Sequence, residues 1–205
     1  MSITLAIIGL TVIVSLLALR DQRVFEELLF APFRMQAGKG WYRFLSHGLI
    51  HGGVMHLVVN MYVLWMFGSA VEDAFGALGG GMAAYLALYI GGLVLSAVPG
   101  YFKYRDDPNY RAVGASGATS AVVFAFILLN PSAKLMLIFL PIPMAAWLFG
   151  LLYLAYEWYM SKQDRDGIAH DAHYFGALYG IAFTALVDRQ AVPHFIHAVF
   201  PAMLF

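Results

Sequence analysis

Residues 114–131 read GASGATSAVVFAFILLNP. No charge interrupts them. Gly114 and Gly117 permit a sharp entry and a close approach of backbone, and Asn130-Pro131 stops any helix that begins there. The spacing predicts a helix opening near Ser116, 14 residues before Asn130, about 21 Å at 1.5 Å per residue. An uncharged helix of this kind suits a hydrocarbon solvent. Ser116 then stands out, because polar groups at such depth are rare and usually have a task.

The rest of the chain agrees with that solvent. Of 205 residues, 61% are hydrophobic and 12% are charged, whereas a soluble domain carries roughly a quarter charged residues. So few charges cannot cover a globule in water. A formal net charge of zero argues against nucleic acid as a partner. With no cysteine, disulfides, thiol catalysis and thiolate metal sites are excluded. Five more apolar runs accompany the first, at about 3–19, 54–71, 80–98, 144–159 and 173–187. A helix crosses a bilayer with about 20 such residues. The first run lacks a basic leader and a small-residue cleavage site, so it is expected to be retained. The expectation is an all-α membrane protein of six transmembrane helices. It forms one membrane domain over residues 1–205, with its core at about 41–188.

Residues 20–53 mix charges with Phe, Leu and Trp and read as an interfacial, partly helical excursion. The tail from 191 is broken by Pro193 and Pro201 and is expected to lie along the interface. A Pro141-Ile-Pro143 break precedes the fifth run, which makes that helix the expected gate for lateral entry.

Inside the apolar runs, polar residues gather at one level. His56 and Asn60 are four apart and share a helix face. They lie 16 and 12 residues before Glu72, and His173 lies 14 before Val187. With Ser116 they fall roughly 10 Å below one surface of a core about 30 Å thick. Gly176-x-x-x-Gly180 is the small-residue spacing that lets membrane helices approach closely. Opposite it, the run at 114–131 offers Gly117, Ala118, Ala121 and Ala125, so these two helices are expected to pack face to face. A serine hydroxyl is a weak nucleophile that needs a base, and His173 can be one. An oxyanion formed by its attack needs donors. Asn60, the His56 ring and the backbone N–H of Ser116 at its helix start can supply them. No acid is well placed to complete a triad, since Asp171 lies two residues from His173 and points elsewhere. A Ser–His dyad is the economical reading.

Plainer readings exist for single features. Gly-x-Ser-Gly often only marks a loop-to-helix junction, and His51 reads as a loop hydrogen-bonder. Tyr153, Tyr156, Trp158 and Tyr159 read as an interface belt. A metal or haem on the histidines would leave Ser116 and Asn60 unexplained, with no carboxylate to join the cluster. No metal or cofactor is therefore expected.

Taken together, the motifs resemble the rhomboid family of intramembrane serine proteases. They are Trp41-Tyr-Arg43, His51-x4-His56-x3-Asn60, Glu72-x3-Gly76, Gly114-Ala-Ser116-Gly117 and His173-x2-Gly176-x3-Gly180. The resemblance implies Ser116 as nucleophile and His173 as general base. It implies His56, Asn60 and the Ser116 amide as oxyanion hole, and transmembrane proteins in a lipid bilayer as substrates. Structural roles fall to Trp41, Arg43, His51, Glu72, Gly76, Gly114, Gly117, Gly176 and Gly180. The chain departs from the pattern at Ser120, where several members have a Tyr that stacks on the histidine. A protein of the same fold that binds transmembrane clients without cutting them is the alternative, and the presence of both Ser116 and His173 speaks against it. Ten of the twelve Lys and Arg fall in the loops after the first, third and fifth helices. The positive-inside rule would make that side cytoplasmic. The resemblance implies a site opening to the extracytoplasmic side of a cell membrane, with both termini cytoplasmic. The latter is adopted, because the first loop is long and interfacial.

Overall fold

The apolar runs fold as helices around the one that carries Ser116. The computed structural model describes residues 2–36, 38–137, 140–163 and 167–201. It opens with α1 (Ile3–Arg20), followed by three short helices, α2 (Gln22–Leu28), α3 (Pro32–Met35) and α4 (Arg43–Ser46), and a 3-10 turn at His47–Leu49. These short helices give the excursion its expected partly helical form. Then come α5 (Val54–Ala77), α6 (Gly81–Tyr104) and α7 (Ser116–Leu129). The turn from α5 to α6 is tight because Gly79 and Gly81 take φ of 79° and 51°, a region other residues enter only with strain. After α7 the chain forms β1 (Lys134–Leu137) and β2 (Leu140–Ala145), then α8 (Ala146–Met160), α9 (His170–Val187) and α10 (Ala191–Val199).

The all-α expectation is corrected here. Lys134 pairs with Ala145 and Leu135 with Met144 in an antiparallel ribbon. Pro141 and Pro143 lie in β2 and break no helix. Proline is tolerated there because each strand of a two-stranded ribbon has a free edge. Three helices, α1, α5 and α6, are long and apolar enough to cross a membrane, and α7 is a shorter apolar helix. At 14 residues it reaches about 21 Å, less than the hydrocarbon thickness of about 30 Å.

α7 is the axis of the packing. Eleven of its residues are buried, enclosed by α5, α6, α8 and α9. Glycine sets the distances. A Cβ on Gly176 would stand 2.2 Å from the carbonyl oxygen of Gly117, and one on Gly180 2.2 Å from that of Ala121. A Cβ on Gly92 of α6 would lie 2.9 Å from Ala118 Cα. The α7 and α9 backbones thus touch, as the small-residue spacing predicts. Outward, large apolar side chains such as Leu10, Ile13, Met55, Trp65, Leu151 and Leu186 stay exposed. Lipid is the solvent in which such a surface is stable.

Candidate active site

Ser116 is the first residue of α7, and the first turn of a helix has N–H groups without intrahelical partners. The turn leading to it passes the ring of His56. Gly114 has φ of 114°, and a Cβ there would lie 2.8 Å from His56 Cε1. Only glycine lets the backbone run this close to the imidazole in that conformation. Asn60 is buried one turn further along α5, and its Nδ2 donates to the His56 carbonyl at 3.0 Å. An amide carries a second N–H. The His56 ring therefore borders the turn before Ser116, with Asn60 one turn further along the same helix.

His173 lies in the first turn of α9, three residues before Gly176. The Gly176 contact with Gly117 brings that turn beside the start of α7. Among the described residues, no hydrogen bond joins Ser116 to His173. A cavity of about 30 Å³ is lined by Ser116, Gly117, Ser96, Gly114 and Asp171 among others, the space of roughly one water.

The structure overturns one part of the site reading, the absence of a suitable acid. Glu157 Oε1 lies 3.1 Å from His173 Nδ1, and its other oxygen lies 2.5 Å from His170 Nδ1. Glu157 and His170 are both buried. Three ligand-type atoms within 4.8 Å also outline a metal site. A carboxylate thus does join the histidines, contrary to the expectation that none would, and its two oxygens hydrogen-bond the two rings. Asp171 faces elsewhere, as expected, and pairs with Lys103 at 2.8 Å. Tyr153 leaves the interface belt: its hydroxyl lies 2.9 Å from Ser120 Oγ, at the position where the chain departs from the family motif. Sequence reasoning had a signal for Glu157, the one charged residue inside the fifth apolar run, and such residues are functional candidates by default.

The remaining motif residues hold the frame. Arg43 is buried and donates to the carbonyls of Leu29 at 2.7 Å and Glu26 at 3.0 Å, tying α4 to the end of α2. Trp41 is half exposed and stacks on Phe44 at 5.8 Å. His51 is fully buried between α1 and the turn before Ser116. Ser15 donates its single hydrogen to the Leu49 carbonyl at 2.9 Å, so His51 Nδ1–H donates to Ser15 at 2.9 Å. His51 Nε2 is then free to accept from Ala115 N–H at 3.5 Å. Burial, followed by the neighbouring imidazoles His56 and His47, pushes His51 down to about 3. Burial, against a hydrogen bond to the Arg43 carbonyl, pushes His47 down to about 4. Both are neutral wherever the protein works. Glu72 accepts from Ile3 N at 2.7 Å and Thr4 N at 3.0 Å, and from the hydroxyls of Ser2 and Thr4, each at 2.8 Å. Gly117 meets Ser96 Oγ as well as α9. A Cβ on Gly76 would meet nothing within 4 Å, so close packing gives it no structural role, and the turn's positive φ values fall at Gly79 and Gly81.

Long apolar helices around a partly buried layer of serine, histidine and asparagine define a helical integral membrane protein. Residues 38–190 match the rhomboid domain, and the chain belongs to the rhomboid family. It is 34% identical over 139 residues to presenilin-associated rhomboid-like protein A, mitochondrial, of Danio rerio, covering 64% of this chain and 33% of that one. It is 29% identical over 180 residues to rhomboid-related protein 1 of Caenorhabditis elegans, covering 83% and 46%. Rhomboid protein 1, mitochondrial, of Saccharomyces cerevisiae is 28% identical over 151 residues, covering 68% and 41%. The chain thus spans a third to just under half of the length of these relatives.

Proposed function

We propose that this chain is an intramembrane serine endopeptidase that cleaves transmembrane helices of membrane proteins. It acts as a single six-spanning domain, with α1, α5, α6, α7, α8 and α9 as the crossings. Its site opens to the extracytoplasmic side of a cell membrane. The observation that carries the reading is the backbone contact of Gly176 with Gly117. It sets the helix bearing His173 against the helix that opens on Ser116, while the His56 ring borders the turn before Ser116.

The chemistry follows. His173 Nε2 takes the proton of Ser116 as the hydroxyl oxygen bonds to the scissile carbonyl carbon, whose oxygen becomes an anion. The Ser116 amide, Asn60 and His56 donate to that oxygen. The anion collapses, the C–N bond breaks, and His173 returns the proton to the leaving amine. Water then attacks the Ser116 ester with His173 again as base, releasing the acid and restoring the serine. A continuous helix hides its carbonyls in i to i−4 bonds, so the substrate must unwind first, and glycine or proline near the cut lowers that cost by about 1 and 3 kcal/mol relative to alanine.

The test is cleavage of a reporter transmembrane helix in vesicles, with labelling of the serine by a fluorophosphonate. Wild type should cut and label, Ser116→Ala should do neither, and His173→Ala should lose cleavage. Wild-type-like cleavage by either variant removes the proposed dyad. Binding of the reporter without cleavage by the wild type would leave client binding as the function.

A further inference from the structure

We infer that Glu157 is the positioning residue of this site: it accepts the Nδ1–H of His173, holds Nε2 bare toward Ser116, and is itself fixed by His170 on its other oxygen. The inference rests on the Ser116–His173 reading above.

An ionised carboxylate can only accept hydrogen bonds, and a neutral imidazole has one N–H. With Glu157 at 3.1 Å from His173 Nδ1, the proton lies on Nδ1 and Nε2 carries the lone pair. That is the tautomer a base facing a serine must have. The same logic assigns the Nδ1 proton of His170, 2.5 Å from the second oxygen. A buried carboxylate is costly unless paired, so two imidazoles on opposite oxygens fix the plane of the carboxyl group. When Nε2 takes the serine proton, the positive ring stands against a fixed negative charge, which favours the intermediate.

The location fits. Ala146, Gly150, Tyr153 and Glu157 are spaced 4, 3 and 4 apart along α8, the seam of a helix that meets its neighbours along one narrow stripe. Gly150 lies against Ile127 and Phe124 of α7, and Tyr153 against Ser120. The next position in that seam is Glu157, level with the first turn of α9. Support for the base comes sideways from α8, where α7 carries only the short Ser120.

The experiment uses the full chain in phosphatidylcholine vesicles, with nitrogen-15 histidine. The His173 signals, assigned by their loss in His173→Ala, should show a protonated Nδ1 and a bare Nε2. Glu157→Gln should lower kcat by about 100-fold or more with KM unchanged, a wrong-tautomer effect for which losses up to 10⁴ are known, and Glu157→Asp should recover part of it. A wild-type His173 protonated at Nε2, or a Glu157→Gln enzyme with wild-type kcat, overturns the role of Glu157 alone. If Glu157→Gln does not fold, the wild-type spectrum decides. A wild type that neither cuts nor labels removes the underlying reading, and Glu157's role with it.

Discussion

α7 and α8 are neighbours of similar length, yet they are held in opposite ways. Eleven residues of α7 are buried, and its backbone touches α6 and α9. In α8 only Ala146, Gly150 and Glu157 are buried, while Leu151, Leu152, Tyr156, Trp158 and Tyr159 are exposed. One helix is clamped backbone to backbone, and the other leans on side chains along one stripe. Ser116, the proposed nucleophile, stands on the clamped helix and Glu157, the proposed orienting acid, on the leaning one. Ser116 is thus placed by rigid contacts, and the proposed support comes from a helix that can shift without disturbing them.

The same substitution at two glycines should expose this contrast. Of the two, Gly180→Ala is expected to have the larger effect. Its Cβ would lie 2.2 Å from the Ala121 carbonyl oxygen and 2.7 Å from Ala121 Cα, so α7 and α9 must separate. Overpacking against backbone should cost about 3 kcal/mol, more than the roughly 1 kcal/mol that alanine gains over glycine in a helix. Thermal unfolding in micelles should show the loss, with cleavage falling in parallel.

Acid should act next, and on the clamped side. His47 and His51 have folded values of about 4 and 3, against about 6.5 in an unfolded chain. Between those values the unfolded state binds more protons, so stability is complete above about pH 6.5 and falls with pH through that window. For His47 the full loss is of order 3 kcal/mol. A melting temperature that falls from pH 7 to pH 4, and falls less in His47→Gln, would match this. A flat profile would show that neither imidazole stays buried and neutral.

The smallest effect belongs to α8. In Gly150→Ala the new carbon would meet only side-chain ends, Ile127 Cδ1 at 3.2 Å and Phe124 Cε1 at 3.3 Å. These can yield, so stability should stay within about 1 kcal/mol of wild type. A loss equal to that of Gly180→Ala would mean that α8 is seated as firmly as α9, and the contrast would fail.

What the sequence made legible divides along the same line. Small-residue spacing is a backbone property repeated every four residues, so the contact of α7 with α9 could be read from Gly176, Gly180, Gly117 and Ala121. The excursion at α2 to α4 followed from mixed charge and aromatic content. Glu157 went unread because its partners lie 13 and 16 residues away across a turn, and beside Tyr156 and Trp158 it resembles the polar edge of an interfacial belt. The strands Lys134–Leu137 and Leu140–Ala145 were hidden because two prolines among apolar residues read as a break before a helix and not as a strand.

The grip of Glu72 on the first turn of α1 bears on how the chain is made. The amides of Ile3 and Thr4 find their partner 69 and 68 residues later. While a ribosome is still adding α5, that turn has only water or headgroups to satisfy it, so the start of α1 must wait at the surface. Arrival of the carboxylate removes the need for water, and α1 can then settle beside α5. The second long helix thus completes the insertion of the first, and a Glu72→Gln chain should show its defect during biogenesis, as slower protection of α1 from aqueous reagents.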